Sequence, residues 1–295
     1  MPLAAVLRLL RPKQWAKNFL VLAAYLFTAS WQDPSRTSLV LIAFGALCML
    51  SSASYVFNDL ADAKADRLHP RKKLRPIASG QFSSGVAIGI GVALIVGGFA
   101  LSALLPSGAQ VALAFFAMIQ LAYNLGLKRV AILDVMVISL AFVQRAVIGA
   151  MAIEVAISGW LLFCTGAFAL FLASVKRRQE LRALGTDSMT RATLAGYSER
   201  FLDAMVIVAA SFAGISYGIY SIESDTARLH PSLILTTPVV VFGILRYLYL
   251  VFGREEGEEP ESVVFKDPQM VLSLIAFLLV AVLAMRGLKL DFLAS

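Results

Sequence analysis

The sequence predicts an all-α polytopic membrane protein, a single integral-membrane domain over residues 1–295 that forms a bundle of about nine transmembrane helices. Three observations support this fold class. The chain is 59% hydrophobic and only 15% charged. Apolar stretches long enough to cross about 30 Å of hydrocarbon recur along it, and most Lys and Arg residues fall in segments that such spans would place on one side of the membrane. An ordinary water-soluble globule could not bury this much apolar surface.

The predicted spans follow one another through connections that are mostly short. They cover residues 15–32, 38–57, 82–105, 109–126, 130–153, 158–178, 201–222, 231–252 and 269–287. The first span comes after four basic residues, Arg8, Arg11, Lys13 and Lys17, and further spans follow it. We therefore interpret it as a retained helix rather than a cleaved signal peptide.

The distribution of positive charge predicts how the spans are oriented. A cytoplasmic amino terminus would put most of the 26 Lys and Arg residues on the cytoplasmic side, before residue 18 and in loops 58–80, 127–129, 176–200 and 253–268. This asymmetry is the one that the positive-inside rule describes. We expect the charged active-site loops to face the cytoplasm. Because the basic residues lie beside spans, anionic lipids and phosphorylated small molecules are better partners for them than nucleic acid.

The string NDLADAKAD at residues 58–66 places one amide and three carboxylates at the end of the second predicted span. If the helix continues, 100° per residue puts Asn58, Asp62, Asp66 and Asp59 at about 0°, 40°, 80° and 100° around its axis. This acidic stripe is about 12 Å long, too long for one ion but suited to Mg²⁺ ions that already carry a diphosphate. The competing interpretation is a solvated helix end.

A basic loop follows the acidic stripe. His69-Pro70 is expected to stop the helix, because the residue before a proline is pushed out of the α region. The next residues, RKKLR at 71–75, would then bring positive charge, including Arg75, close to the acidic face.

A second charged cluster closes the sixth span, where Lys176, Arg177, Arg178 and Glu180 follow one another closely. Lys176 and Glu180 are four residues apart, so an ordinary surface pair worth a few tenths of a kcal/mol explains them. The alternative is a phosphate clamp, and the sequence leaves both interpretations open.

Two ionisable residues, Asp134 and Arg145, lie within the fifth span. They are eleven residues apart and so lie within about 20° of the same helix face. Intramembrane charges are costly, and Arg145 is expected to point into the bundle. A structural ion pair explains these residues about as well as a catalytic role.

Asn58, Asp62 and Asp66 match the NDxxDxxxD motif, and on this basis the chain resembles the UbiA-type intramembrane prenyltransferase superfamily. The longer string at 58–80 and RPKQWAKN at 11–18 resemble its bacterial polyprenyl-phosphate phosphoribosyltransferase branch, over essentially the whole chain. One difference separates the chain from members with aromatic acceptors. Those members carry a second DxxxD motif after span six, where this chain has KRRQE at 176–180.

The resemblance implies a Mg²⁺-dependent phosphoribosyltransferase in the bacterial cell membrane. Its donor would be phosphoribosyl pyrophosphate and its acceptor a polyprenyl phosphate, giving a precursor for cell-wall arabinan. Asn58, Asp62 and Asp66 would bind the metal and the donor diphosphate and, with Glu180, form the catalytic group. Other residues would contact the substrates: Lys17, Asp59, Arg75, Lys128, Asp134, Arg145, Lys176 and Arg177.

Three other functions remain open at this stage. An enzyme of the same architecture could move a prenyl group from a prenyl diphosphate to an aromatic or lipid acceptor, using the same acidic stripe. A transporter could use Asp134, Arg145 and the stripe as an ion or solute pathway, although the carboxylates cluster at one membrane face and no inverted repeat is evident. A catalytically silent scaffold is the third. Whether copies of the chain form a homo-oligomer is also left open.

Overall fold

The computed structural model describes residues 3–68, 72–184, 196–253, 263–264 and 266–287. Within these ranges the chain is helical and forms no strand, which confirms the all-α prediction. The structure has 3-10 turns between several of its α-helices, which are α1 Leu3–Leu10, α2 Leu22–Phe27, α3 Pro34–Leu68, α4 Ser84–Ser102, α5 Ser107–Leu125, α6 Leu133–Ala152, α7 Gly159–Leu184, α8 Glu199–Glu223, α9 Asp225–Leu229, α10 Thr236–Gly253 and α11 Pro268–Met285.

Eight helices in the described ranges are long and apolar enough to cross a membrane. Several of them expose large apolar side chains: Val96 of α4 is 62% exposed, Val111 of α5 69%, and Leu272 of α11 66%. In water such surfaces would be unfavourable, whereas in a bilayer they face lipid.

The first predicted span, residues 15–32, is not one helix. It consists of a 3-10 helix at Pro12–Val21, the short helix α2 and a 3-10 turn at Ser30–Gln32. Pro12 lies in the first turn of the 3-10 helix, and α2 ends near Ala29, whose φ of 51° is left-handed. The prediction of about nine helices is therefore close, with the first replaced by shorter pieces.

The chain divides into two compact units. The first comprises Met1–Tyr25, Ser30–Leu127 and Gln144–Val155. In it α3 packs closely on α4, because small residues permit the approach: a Cβ at Gly91 would lie 2.8 Å from the Phe57 ring. At 35 residues α3 is about 52 Å long, well beyond the hydrocarbon thickness. Its last turns, which carry residues 58–66, can therefore project from the membrane.

The second unit comprises Leu26–Ala29, Lys128–Val143 and Ala156–Ser295. Its core is formed by α7, α8 and α10, with Phe171 of α7 edge-on to Tyr247 of α10 at a centroid distance of 5.4 Å. Helix α7 has 26 residues, about 39 Å. Its charged residues 176–180 follow the apolar stretch that makes this core.

Candidate active site

Asp59 is the most deeply held member of the acidic stripe in the first unit. Its side chain is 1% exposed and accepts hydrogen bonds from Nη2 of Arg11 at 2.6 and 2.8 Å and from Nη1 of Arg75 at 3.1 Å. Two guanidinium groups neutralise this carboxylate and satisfy its oxygens. The geometry gives Asp59 an anchoring role within the unit.

Arg75 joins two members of the stripe. Its Nη1 lies 2.6 Å from Oδ2 of Asp66 in addition to its bond with Asp59. The basic loop is turned toward α3 by backbone hydrogen bonds from Arg75 to the Lys72 carbonyl and from Ser79 to the Arg75 carbonyl, both 2.9 Å. The structure thus brings Arg75 to the acidic face, as the charge pattern predicts. His69, Pro70 and Arg71 lie outside the described residues.

Asn58 and Asp62 are half-buried on the same continuous helix, one turn apart. Within the described residues, no group of three or more His, Cys, Asp or Glu side chains converges to hold a metal ion. The donor set is an amide and carboxylates spaced one turn apart on a single helix. This fits Mg²⁺, which is commonly held by one or two carboxylates together with substrate phosphates, better than Zn²⁺, for which three or four Cys, His or carboxylate side chains converge on one ion.

Lys17 lies in the 3-10 helix Pro12–Val21, where its Nζ donates to Oε1 of Gln14 at 2.7 Å. The preceding residues connect this helix to the stripe, because Arg11 is its N-cap and pairs with Asp59. Lys17 thus belongs to the same unit as the acidic stripe.

Arg177 is the centre of a charged cluster in the second unit. It is 4% exposed and donates to both Asp134 of α6 and Glu180 of its own helix. Asp134 is fully buried and also accepts a hydrogen bond of 2.7 Å from the hydroxyl of Tyr197. The structure therefore brings together three of the predicted site residues, Asp134, Arg177 and Glu180.

Tyr197 is a member of this cluster that the sequence analysis missed. Burial, together with the hydrogen bond to Asp134, raises the pKa of Tyr197 to about 12, so its hydroxyl remains a donor at neutral pH. Its oxygen also accepts from the backbone N–H of Ile132, whose φ of 69° is unusual for a β-branched residue. Tyr197 thereby fixes the start of α6, where Asp134 lies.

The other basic residues of this unit differ in their surroundings. Arg178 is 2% exposed and pairs with Asp203, with its guanidinium 4.2 Å from the centre of the Phe252 ring. It connects α7 to α8 and α10. Lys176, by contrast, is half-buried on α7, and Lys128 is half-buried in the 3-10 turn Leu127–Arg129 before α6.

The spacing of Asp134 and Arg145 indicates that they could pair with each other, but in the structure Arg145 has other partners. It is 3% exposed in the first unit, donates from Nε to Oδ1 of Asn18 at 3.0 Å, and lies 4.9 Å from the centre of the Phe116 ring. Asp134 and Arg145 are separated by about 16 Å along α6. Each takes part in its own buried network.

The model of the UbiA prenyltransferase family matches residues 18–275. The chain belongs to the UbiA prenyltransferase family. Together with the eight apolar helices in the described part of the chain, this membership makes it a multi-pass membrane protein. The resemblance inferred from the NDxxDxxxD motif is confirmed.

Relatives within the UbiA family extend over nearly the whole chain. A decaprenyl-phosphate phosphoribosyltransferase of Mycolicibacterium smegmatis is 31% identical over 288 residues, covering 93% of this chain and 90% of the relative. Its namesake in Corynebacterium glutamicum is 34% identical, covering 95% and 86%. A 4-hydroxybenzoate octaprenyltransferase of Pseudoalteromonas translucida is 33% identical but covers only 60% of this chain and 59% of the relative.

A solved structure supports the UbiA fold. A UbiA homolog from Archaeoglobus fulgidus, bound to GPP and Mg²⁺, superposes with a TM-score of 0.73 at 18% identity, covering 96% of this chain and 99% of that one. At this identity the likeness concerns the fold.

Arg11, Asn18 and Tyr197 are the residues that the sequence analysis missed. Arg11 and Asn18 lie inside RPKQWAKN, one of the strings that resembles the phosphoribosyltransferase branch of the UbiA family, and that match was a signal for them. Tyr197 carried no such signal, because it is 63 residues from Asp134 in the chain.

Proposed function

We propose that this protein transfers the 5-phosphoribosyl group of phosphoribosyl pyrophosphate to a polyprenyl phosphate such as decaprenyl phosphate, releasing diphosphate, with residues 1–295 acting as one transferase domain. The observation that carries the proposal is the full-length similarity to decaprenyl-phosphate phosphoribosyltransferases, at 31% identity over 93% of the chain and 34% over 95%. The product would serve cell-wall arabinan synthesis.

The side chains of the second-unit cluster also favour two phosphorylated substrates. Where aromatic-acceptor members place a second set of aspartates, this chain places Lys176, Arg177 and Arg178. Asp134, Glu180 and Asp203 offset the charge of the two arginines, so the exchange removes a second set of metal-binding aspartates and supplies guanidinium donors, which suit phosphate oxygens.

Asn58, Asp62 and Asp66 would hold Mg²⁺, which when bound offsets the negative charge of the donor diphosphate and of the departing diphosphate. In the same unit Asp59 would keep Arg11 and Arg75 in place, and Lys17 and Arg75 would bind phosphate oxygens. UbiA homologs of the same fold that have been solved with Mg²⁺ and with Cd²⁺ support the proposal of a divalent cation.

The acceptor needs no strong general base. A phosphate monoester has a second pKa near 6, so its oxygen is already largely ionised at neutral pH. The residues of the protein would bind and align the two anions and offset their repulsion. Lys176, Lys128 and Arg177 would donate to phosphate oxygens, with buried Asp134 holding Arg177 in place. Glu180, whose side chain is 21% exposed, would orient the ribose hydroxyls.

The active site would face the cytoplasm, where phosphoribosyl pyrophosphate is available. The supporting observation is the positive-inside bias of the loops. Accessibility of single cysteines introduced at Lys73 and at Thr226 to a membrane-impermeant maleimide, in spheroplasts and in inverted vesicles, tests it. The proposed orientation requires labelling of position 73 only in inverted vesicles.

The deciding experiment uses purified protein in detergent with Mg²⁺. One reaction contains labelled phosphoribosyl pyrophosphate and decaprenyl phosphate, and a second contains a prenyl diphosphate and an aromatic acid. We expect a labelled lipid only in the first. Product in the second reaction alone would reassign the protein to prenyl transfer, and activity in detergent without a second compartment would count against a transporter.

A further inference from the structure

The 3-10 helix Pro12–Val21 arranges its side chains in straight rows. A 3-10 helix has three residues per turn, so residues i and i+3 eclipse each other. The inner row contains Trp15, Asn18 and Val21: Asn18 and Val21 are fully buried, and Nε1 of Trp15 donates to Oγ of Ser52 on α3 at 3.0 Å. The row that contains Phe19, 58% exposed, faces outward.

A third row, which we call the polar row, contains Gln14 and Lys17, which are joined by a hydrogen bond of 2.7 Å. Arg11, the N-cap before this row, pairs with Asp59 of the acidic stripe at 2.6 and 2.8 Å. Over the three residues from Gln14 to Lys17 a 3-10 helix turns about 360°, so the two side chains align, whereas an α-helix turns about 300° and would offset them by about 60°.

A 3-10 helix of this length needs support from its surroundings, because runs longer than three or four residues are uncommon and their hydrogen bonds are poorer. The support is a buried polar network at Asn18. Its Oδ1 accepts from Nε of Arg145 at 3.0 Å, and its Nδ2 donates to Sγ of Cys48 at 3.2 Å. Each buried polar atom here would be costly to leave unpaired.

Backbone contact holds the end of the same helix. A Cβ at Gly149 of α6 would lie 1.9 Å from the carbonyl oxygen of Val21, so only glycine permits this approach. Because Arg145 and Gly149 are one turn apart on α6, one face of α6 fixes the inner row at both Asn18 and Val21.

We propose that Asn18 and Arg145 are positioning residues: by holding Pro12–Val21 in the 3-10 register, they keep Lys17 in the polar row and so set the affinity for the donor phosphates. This inference rests on the proposed function and replaces the substrate contact predicted for Arg145. Arg145 holds Asn18 in place, and Asn18 in turn keeps Lys17 in the polar row.

A double-mutant cycle between Asn18→Leu and Lys17→Met tests the inference. We expect Lys17→Met to raise KM for phosphoribosyl pyrophosphate about tenfold, and Asn18→Leu to raise it by a similar factor with a smaller effect on kcat. If Asn18 acts through Lys17, the double variant is no worse than Lys17→Met alone. If the two substitutions act independently, KM of the double variant rises about a hundredfold, and this result would overturn the inference.

Two further variants separate positioning from general stability. Asn18→Asp keeps an oxygen that accepts from Arg145 and should retain a KM within about threefold of the wild type, and an increase as large as that of Asn18→Leu would contradict the inference. Tyr25→Phe is the matched control: it removes a hydroxyl bonded to Thr37 at 2.7 Å in the same unit and should leave KM unchanged. If Asn18→Leu does not accumulate, Arg145→Lys takes its place in the cycle.

Failure of the inference and failure of the proposed function give different results. If the wild-type protein does not use phosphoribosyl pyrophosphate, both the proposed function and the inference are wrong. If the wild-type protein uses it and Lys17→Met leaves KM unchanged, only the inference is wrong.

Discussion

Nη2 of Arg11 bonds both carboxylate oxygens of Asp59, at 2.6 and 2.8 Å, and joins the N-terminal segment to the acidic end of α3. Arg11 adopts a left-handed backbone conformation with φ of 53°, which is unfavourable for a residue with a Cβ, and this ion pair helps to offset the cost. Within NDLADAKAD, Asp59 is therefore the buried carboxylate that anchors this end of α3, whereas Asn58 and Asp62 are half-buried on the same helix.

This division predicts different effects for two matched substitutions, Asp59→Asn and Asp62→Asn. Asp59→Asn removes the carboxylate that Arg11 and Arg75 share, although Arg75 keeps its bond to Asp66, and it should cost about 1–3 kcal/mol of stability, seen as a lower Tm in detergent. Asp62 is less buried than Asp59, so Asp62→Asn should lower Tm less and should reduce kcat/KM about a hundredfold or more. Equal effects of the two changes on Tm would contradict the division.

Removal of divalent cations should abolish activity without unfolding the protein. The acidic stripe is on one continuous helix, and the contacts that hold Asp59 and Asp66 are made by Arg11 and Arg75, so the fold of this unit does not depend on a metal. We expect chelator to eliminate turnover, added Mg²⁺ to restore it, and Tm without substrate to change little. Full activity in chelator would disprove the role assigned to Asn58, Asp62 and Asp66.

Arg177→Lys should impair the enzyme nearly as much as Arg177→Met. Arg177 contacts Asp134 and Glu180 from different nitrogens of one planar group, and a lysine ammonium cannot reproduce that fork. Activity should fall about tenfold or more in both variants. Arg182→Lys is the control, since Arg182 pairs with Glu199 at the exposed end of α7, and it should remain active.

The sequence predicts the fold class and the acidic stripe because both depend on local periodicity. Apolar length determines the spans, and 100° per residue aligns Asn58, Asp62 and Asp66 whatever the rest of the chain does. The first span is different. Its apolar length predicts an α-helix. In the structure Asn18 bonds to Arg145, which is 127 residues away in the chain, and this segment is a 3-10 helix. Hydropathy cannot indicate a geometry that accompanies such a tertiary contact.

The partners of the charged residues were the least predictable part of the site. Asp134 and Arg145 share a helix face, yet Asp134 bonds Arg177 and Tyr197 while Arg145 bonds Asn18. These partners come from other segments of the chain, and tertiary packing rather than spacing along α6 decides which of them are within reach. By contrast, the contact of Arg75 with Asp66 could be predicted, because Arg75 follows the acidic stripe closely in sequence.

Asp267→Asn should lower stability at neutral pH and not at strongly acidic pH. Asp267 caps α11 and bonds Arg246 at 2.7 and 3.2 Å, and this hydrogen bonding lowers the pKa of Asp267 below its ordinary value of 3.8. Because the pKa of Asp267 is lower in the folded state than in the unfolded state, the ionised carboxylate adds stability at pH values above the unfolded-state pKa. This added stability is lost as pH falls through the folded-state pKa.

Asparagine keeps the cap, so the variant isolates the ion pair. We expect Tm to fall about 2–4 °C at pH 7, and the difference from wild type to shrink as pH falls below 3.8, the ordinary pKa of an aspartate. A difference of the same size at neutral and at strongly acidic pH would show that the charge of Asp267 is not its cause.

The lipid product should have the opposite anomeric configuration from the donor. The acceptor phosphate is ionised without help from the protein, and the residues placed here align charges rather than offer a nucleophile. The carboxylates of Asp59 and Asp134 are both fully or almost fully buried and paired with arginines. A single displacement at the anomeric carbon therefore explains transfer, and it inverts configuration. NMR coupling constants of the purified product would establish the configuration, and retention would require a covalent glycosyl-enzyme formed on a carboxylate such as Glu180.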